Sequence, residues 1–240
     1  MGKADAIGYA VCHRIDTRSL HIGIVQLPLC ARCTGQYLGA ITGLVGLSLF
    51  GRRRSGFPPK HIMGLLLLLI LFYVVDGLNS YLSLPPFIKI FPGMLQLYQP
   101  SNIMRLFTGT GMGLAIASVL YPAFWGSIIT NPDPRPAIQD LKSLFMLLGV
   151  GILVDLLVLT GYTFVLFPAA MISALGVVLI LTVTYTILWL RITHKENQFI
   201  LVSQITLQLI GGFLMTIAQI GLFDLIRFII TGTWNGLVFG

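Results

Sequence analysis

Residues 61–83 read HIMGLLLLLILFYVVDGLNSYLS, and Asp76 is the only Asp, Glu, Lys or Arg in this run. As an α-helix rising about 1.5 Å per residue, the run is long enough to cross a hydrocarbon core of about 30 Å. It therefore predicts a transmembrane helix. Five further stretches have the same character. The predicted spans are 34–50, 61–83, 103–121, 143–165, 168–191 and 199–223.

The composition agrees with this interpretation. Of the 240 residues, 56% are hydrophobic and 10% are charged, which excludes a soluble α/β enzyme and a disordered chain. We expect an all-α fold, a polytopic membrane helical bundle of about six helices. The net charge of +7 comes mainly from loops and helix ends, where orientation and lipid headgroups account for it. The expected partner is the lipid bilayer, and no nucleic acid is expected.

Basic residues fall mainly in alternate connections. The first connection, 51–60, is strongly basic, whereas 84–102 contains Lys89 alone among prolines and aromatics. Loops rich in Lys and Arg stay in the cytoplasm, so the odd-numbered connections are predicted there and both termini outside it. The residues that decide this are Arg52, Arg53, Arg54, Lys60, Arg135, Lys142, Arg191 and Lys195.

Two segments outside the spans have a distinct composition. Residues 84–100 contain four prolines and cannot form a regular helix, so we expect them at the membrane interface, where they could roof a pocket. Residues 224–240 are predicted to end the sixth helix and continue as an interfacial segment.

Glycines recur in the first and third spans. Gly35, Gly39 and Gly43 are four residues apart, so they share one helical face and predict close packing against another helix. Gly109, Gly111 and Gly113 suggest similar crowding in the third span.

All three cysteines lie within the first 33 residues. Cys30 and Cys33 have the spacing that points two sulfurs at one centre, and Cys12 with one histidine completes a tetrahedral set. His13 is our candidate for the fourth ligand, with His21 as the alternative. Thiolate ligands favour zinc. The alternatives are a redox pair and three reduced structural thiols.

We therefore expect residues 1–33 to form a Cys/His-rich segment that caps a single bundle of residues 34–240.

Polar residues inside the predicted spans are costly and are functional candidates. They are Asp76, Asn79, Arg105, Asp155, Asp224 and Arg227. Tracing the chain puts Asp76, Arg105 and Asp224 at the end that carries Cys33. This predicts one polar pocket in the outer half of the bundle.

Three arginines flank the cysteines. Arg14, Arg18 and Arg32 have the fork geometry that binds phosphate or carboxylate, which suggests an anionic ligand near the metal. Contacts with lipid headgroups or with Asp16 are the alternative.

The N-terminal residues also form a recognisable pattern. The pattern is Cys12-His13-Arg14, Arg18-Ser19 and Leu27-Pro28-Leu29-Cys30-Ala31-Arg32-Cys33-Thr34-Gly35. It closely resembles the signature of a prokaryotic integral-membrane family, domain of unknown function 2085. A similar family pattern continues with an Asp in the second span and Asn-x-x-Arg-x-x-Thr-Gly at the third. The resemblance implies a compact polytopic membrane protein and nominates Asp76, Asn102, Arg105, Thr108 and Gly109 as functional residues.

Our leading hypothesis is a membrane metal site that binds or processes an anionic amphiphile such as a phospholipid. Asp76 is the candidate base and Arg105 its catalytic partner. The predicted substrate-binding residues are Arg14, Arg18, Arg32, Asn79, Asn102, Thr108 and Asp224. A zinc ion with four protein ligands would instead be structural.

Two other functions fit the same residues. Cys30 and Cys33 could exchange a disulfide with a membrane quinone as partner. Asp76, Asp155 and Asp224 could line the path of a small transporter.

Overall fold

The computed structural model describes residues 2–51, 53–84 and 97–234, except for the side chain of Lys3. Within these ranges it confirms the all-α class, with six helices long and apolar enough to cross a membrane. The helices are α1 Gly2–Val11, α2 Ala31–Phe50, α3 Lys60–Leu82, α4 Asn102–Ile128, α5 Leu141–Leu159, α6 Thr163–Ile192 and α7 Thr206–Thr231. Short 3-10 turns occur at Asp16–Arg18 and Val202–Ile205.

The capping segment contains a β-hairpin. Strand β1, Ser19–Ile22, pairs antiparallel with β2, Val25–Cys30. The two-residue turn between them starts at Gly23, whose φ of +60° suits a residue without a side chain. The register places Ser19 opposite Cys30, so the residues after Arg18 lie beside the second cysteine.

The predicted spans are recovered, but several of their boundaries shift. Helix α6 begins at Thr163, five residues before the predicted start, and α7 begins at Thr206, seven residues after it. Helix α4 continues through Pro122 to Ile128, seven residues beyond the predicted end. Helix α5 ends at Leu159, six residues early, because Gly161 takes a left-handed φ of +75° and its N–H bonds the Val158 carbonyl. Helix α7 extends to Thr231.

Helices α2 and α4 form the centre of the bundle, and glycines set their separation. A side-chain carbon placed on Gly35 would overlap the carbonyl of Leu106, and one on Gly113 would overlap that of Gln36. The two backbones can lie this close only because both faces lack side chains. The predicted glycine packing is thus present, and it fixes Arg32 on α2 relative to Arg105 on α4.

The outward faces of the helices are apolar. On α3, Leu67 and Phe72 are more than half exposed, and on α7 Ile229 is 72% exposed. Such surfaces suit hydrocarbon rather than water. Most side chains of α3 and α7 therefore face the surrounding membrane.

The two ends of the bundle have different structures. At one end, strand β3, Arg54–Gly56, pairs in parallel with β4, Asp133–Pro136, and the Thr130 N–H bonds the Phe199 carbonyl. The three basic connections therefore lie together. At the other end α1 and the hairpin cover the bundle, and the Tyr9 hydroxyl lies 3.2 Å from that of Thr231.

Two sequence expectations fall at the edges of the described chain. The segment predicted to roof a pocket lies largely at 85–96, outside the described residues, as does most of the predicted interfacial tail, at 235–240.

Cys33 lies in the first turn of α2, which begins at Ala31. The helix therefore starts inside the segment predicted to cap it.

Candidate metal and anion site

Three chain segments bring the cysteines together. Cys12 follows the last residue of α1, Cys30 ends β2, and Cys33 lies in the first turn of α2. Their Sγ atoms all lie within 4.8 Å of one another. Three thiols this close offer a ready set of ligands for a thiolate-binding metal.

Hydrogen bonds favour a thiolate in this cluster. The backbone N–H groups of Cys30 and Arg14 donate to Cys12 Sγ at 3.3 and 3.5 Å. Hydrogen bonding from the Cys12 and Cys33 thiols lowers the pKa of Cys30 well below its usual value. Hydrogen bonding to Cys30 in turn raises the pKa of Cys12 to about 12. The three thiols thus share their hydrogen bonds, which favours one thiolate within the cluster.

The candidate histidine ligands have other contacts. The Tyr81 hydroxyl lies 3.1 Å from Nδ1 of His13, and the two rings meet edge to face. Nε2 of His21 lies 2.9 Å from an oxygen of Asp16. Within the described part of the chain, neither ring lies within 4.8 Å of all three sulfurs. Among the described residues, three of the four predicted ligands are therefore grouped, and neither histidine belongs to the group.

A small cavity of about 30 Å³ adjoins the cluster. Cys30 forms part of its wall, and four arginines form most of the rest. A space of this size holds one or two water molecules or a few oxygens of an anion. The arginines are Arg14, Arg18, Arg32 and Arg105.

Arg32 is held by Asp76. Nε of Arg32 donates to Oδ2 of Asp76 at 3.0 Å, and its Nη2 donates to the same oxygen and to the Asp76 carbonyl. The hydroxyls of Tyr98 and Thr108 also donate to this carboxylate, at 2.6 and 3.3 Å. Asp76 is 1% exposed, so its charge is neutralised by contacts rather than by water.

Burial and the bond to Asp76 raise the pKa of Tyr98 to about 12, which keeps its hydroxyl a donor. The amide of Asn79 holds the same segment, since it donates to the Tyr98 carbonyl at 2.9 Å and accepts from the Leu97 N–H. Asn79 thus holds the segment that contains Leu97 and Tyr98 beside the Asp76–Arg32 ion pair.

Arg105 has a different set of partners. Its Nε and Nη2 donate to the Ser80 hydroxyl at 3.0 and 2.9 Å, and Nη1 donates to Asn102 at 2.7 Å. Asn102 donates in turn to the Ser19 carbonyl at 3.2 Å. The expected approach of Asp76 to Arg105 is thus replaced by an Asp76–Arg32 pair.

The remaining arginines leave positive charge at the cavity. Arg18 donates to the Ser80 carbonyl and, at 3.4 Å, to the Ser83 hydroxyl, both of which are neutral. Arg14 pairs with Asp5 at 2.9 Å, but its buried Nε has no hydrogen-bond partner. In the described residues Arg18 and Arg105 have no carboxylate partner. The cavity therefore carries a net positive charge suited to an anion.

Asp155 and Asp224 lie apart from the arginines. Asp155 on α5 is fully buried, and its carboxyl lies 2.7 Å from the Thr110 hydroxyl. Asp224 on α7 is also buried, and its Oδ1 has no hydrogen-bond partner in the described chain. Neither residue belongs to the cavity wall. The single polar pocket predicted from the sequence thus excludes Asp224.

Arg227 contributes to the site in a way that the sequence does not reveal. Its Nη1 donates to the carbonyls of Tyr9 and Cys12 at 2.5 and 2.6 Å, and Nη2 donates to that of His13 at 3.2 Å. These carbonyls lie at the end of α1 or just beyond it, where no N–H group of the same helix is available to bond them. Arg227 thereby ties α7 to Cys12. A sequence shows the charge of Arg227 but not that its partners are main-chain carbonyls.

The fold and site define a class: a multi-pass helical membrane protein with three clustered cysteines and an arginine-lined cavity at one end. The family model described as "Predicted membrane protein (DUF2085)" matches residues 12–119. This chain belongs to that family, as its N-terminal pattern suggested. The matched range includes all three cysteines and all four arginines of the cavity.

A relative from the archaeon Methanothermobacter thermautotrophicus, described as an uncharacterized protein, is 32% identical over 108 residues. These residues are 44% of this chain and 82% of the archaeal one. No solved structure matches.

Proposed function

We propose that this protein binds a zinc ion through Cys12, Cys30 and Cys33 and binds the anionic headgroup of a membrane amphiphile beside it. One observation carries the proposal: Cys30 belongs both to the thiol cluster and to the wall of the arginine cavity. A ligand in that cavity would lie next to the metal.

The donor set supports zinc with an open position. Three protein ligands and one exchangeable ligand are typical of zinc sites that act on a substrate, whereas four protein ligands are typical of structural sites. In the described chain the group of possible metal ligands consists of the three cysteines. A zinc ion at this position would polarise an oxygen of the bound anion.

The arginines supply the second half of the site. Among the residues that the structure describes, Arg18 and Arg105 have no carboxylate partner, so they are the cations available to a phosphate or carboxylate group. Asp76 accepts hydrogen bonds from Arg32, Tyr98 and Thr108. Because its oxygens are already engaged, we favour a role in which Asp76 holds Arg32 over a role as a base. We therefore assign Asp76 a positioning role and Arg105 a binding role.

We also propose that this end of the bundle lies outside the cytoplasm. The basic connections lie at the opposite end, where Arg54 and Asp133 are paired between the β3 and β4 strands. Under the positive-inside rule that end faces the cytoplasm. The ligand would then be reached from the outer leaflet.

A thiol–disulfide oxidoreductase is the second candidate, because the lowered pKa of Cys30 next to two thiols also suits a redox pair. Two thiols would release two electrons and two protons to a quinone as the disulfide forms. This function requires a reduced, metal-free cluster.

Elemental analysis of the purified protein in nanodiscs tests the proposal. We expect about one zinc per chain in the wild type and a near-complete loss in Cys30→Ser. His21→Ala is the matched control, since His21 contacts Asp16 and not the cluster, and should keep its zinc. A metal-free wild type that forms a reversible Cys30–Cys33 disulfide would overturn the zinc site and favour the redox function.

A further inference from the structure

A cleft of about 380 Å³ lies between α1 and α7, separate from the arginine cavity. Val11 at the end of α1 forms one wall, and Phe223, Ile226 and Ile230 on α7 form the other. These walls are apolar along most of their length. The cleft therefore suits hydrocarbon rather than a hydrated ligand.

The cleft opens sideways to the membrane. Phe223, Ile226 and Ile230 lie in the last turns of a membrane-spanning helix and are 44%, 43% and 77% exposed. Their exposed faces look onto lipid. A hydrocarbon chain can thus enter without crossing water.

The inner end of the cleft meets the candidate metal site. Cys12, a proposed zinc ligand, lines the cleft, and His13 lines both the cleft and the arginine cavity. The apolar space and the cationic space therefore adjoin one another at these two residues. This is the arrangement that an amphiphile needs, with a charged head and an apolar chain.

A second apolar cavity, of about 470 Å³, lies between α3 and α4. Its polar wall is formed by Tyr98 and Thr108, whose hydroxyls are engaged by Asp76. None of the residues that line this cavity is an arginine, so an anionic head placed there would find no cation in its wall. The α1/α7 cleft is the better match in charge.

We infer that the ligand of this site is a lipid with an anionic headgroup and that its hydrocarbon chain lies in the α1/α7 cleft. The inference rests on the proposed function, and it adds the route of entry and the need for a chain. A free phosphate would use the cationic cavity alone, whereas a lipid would use both spaces.

The test uses cobalt in place of zinc, because a cobalt–thiolate centre absorbs visible light and responds to its fourth ligand. The cobalt-loaded protein in nanodiscs is titrated with methyl phosphate and with dodecyl phosphate. Ile226→Trp fills the cleft. We expect it to raise the dissociation constant of dodecyl phosphate about tenfold and to change that of methyl phosphate by less than about twofold. Ile230→Trp provides a second variant at the same wall.

Ile229→Trp is the matched control, because Ile229 lies on the same helix but outside the cleft. It should leave the affinities for both ligands unchanged. If the Ile226 and Ile230 variants lower the affinity for neither ligand, or lower both affinities equally, the placement of the hydrocarbon chain is wrong. If the cobalt spectrum is absent or ignores methyl phosphate in the wild type, the proposed function itself fails.

Discussion

Helices α2–α4 and helices α5–α7 differ in how they use buried space. The first group buries Arg32, Asp76 and Arg105 in one network and packs backbone against backbone at the glycines. The second group buries Asp155 and Asp224 without an ion pair in the described chain, and neutral side chains such as Tyr185 and Gln219 join α6 to α7. Both groups pack closely at glycines, so they differ in the polar groups that they bury, which are charged in the first group and mainly neutral between α6 and α7.

The family model matches residues 12–119, which is the part that contains the network, the cysteines and the glycine contacts. Helices α5–α7 lie outside that range and contribute mainly Arg227 to the site. The family match thus coincides with the part of the chain that contains the proposed site, while α7 contacts that part through Arg227.

The largest effect is expected from Asp76→Ala. It leaves Arg32 buried without its counter-charge, and breaking a buried pair in this way costs about 3–5 kcal/mol. Unfolding by sodium dodecyl sulfate, followed by circular dichroism, measures the loss. Asp133→Ala is the control, because its pair with Arg135 is exposed and should contribute little. Equal stability of the two variants would contradict the role given to the buried network.

Gly39→Val tests the backbone contact. A side-chain carbon there would overlap the Thr110 carbonyl, so α2 and α4 must separate, at a cost of about 1–3 kcal/mol or more. Gly211→Val on α7 has the same intrinsic effect on a helix, but no atom lies within 4 Å of the added carbon. The difference between the two variants in the same unfolding assay isolates the contact. If both are equally stable, the glycines do not set the helix separation.

Much of the fold follows from the sequence, because each span is long, apolar and bounded by charge or proline. The ends of the helices follow less well. Pro122 leaves α4 unbroken, since surrounding helices support the turn, while Gly161 ends α5 within an apolar stretch. Local residue type cannot distinguish these two outcomes without the neighbouring helices.

The site is predictable in part for the same reason. The spacing of Cys30 and Cys33 allows two sulfurs to point at one centre, and the third joins them as expected. The partner of Asp76 on α3 depends on how α2, α3 and α4 rotate about their axes, so the sequence allows Arg105 as a partner where the structure has Arg32. The hydrogen bonds of Arg227 are to main-chain carbonyls, which every residue has, so the residue types do not reveal them.

Arg227→Ala tests whether α7 supports the first part of the chain. Without its three carbonyl contacts the end of α1 is freer, and we expect zinc affinity to fall about tenfold. Competition with a zinc chelator measures the affinity, and Arg227→Lys should restore part of it. Gln219 also lies on α7, and Gln219→Ala, which removes its hydrogen bond from Tyr185 on α6, serves as the control. An unchanged affinity would show that Cys12 is positioned without α7.

The smallest effect is expected from Asp155→Asn. Among the described residues Asp155 has no cationic neighbour, and its carboxyl contacts the Thr110 hydroxyl, which also lies 3.2 Å from the Gly35 carbonyl. In this contact the Thr110 hydroxyl donates to Oδ1 of Asp155. The side-chain oxygen of asparagine can accept the same hydrogen bond, so the substitution preserves it.

We therefore expect Asp155→Asn to change the free energy of unfolding by less than about 1 kcal/mol and to leave zinc content unchanged. The same unfolding assay and elemental analysis measure both. A loss as large as that of Asp76→Ala would mean that Asp155 is ionised. The transporter hypothesis, in which Asp76, Asp155 and Asp224 line one path, would then be the better account of α5–α7, because an ionised carboxylate persists in apolar surroundings only where water or a cation reaches it.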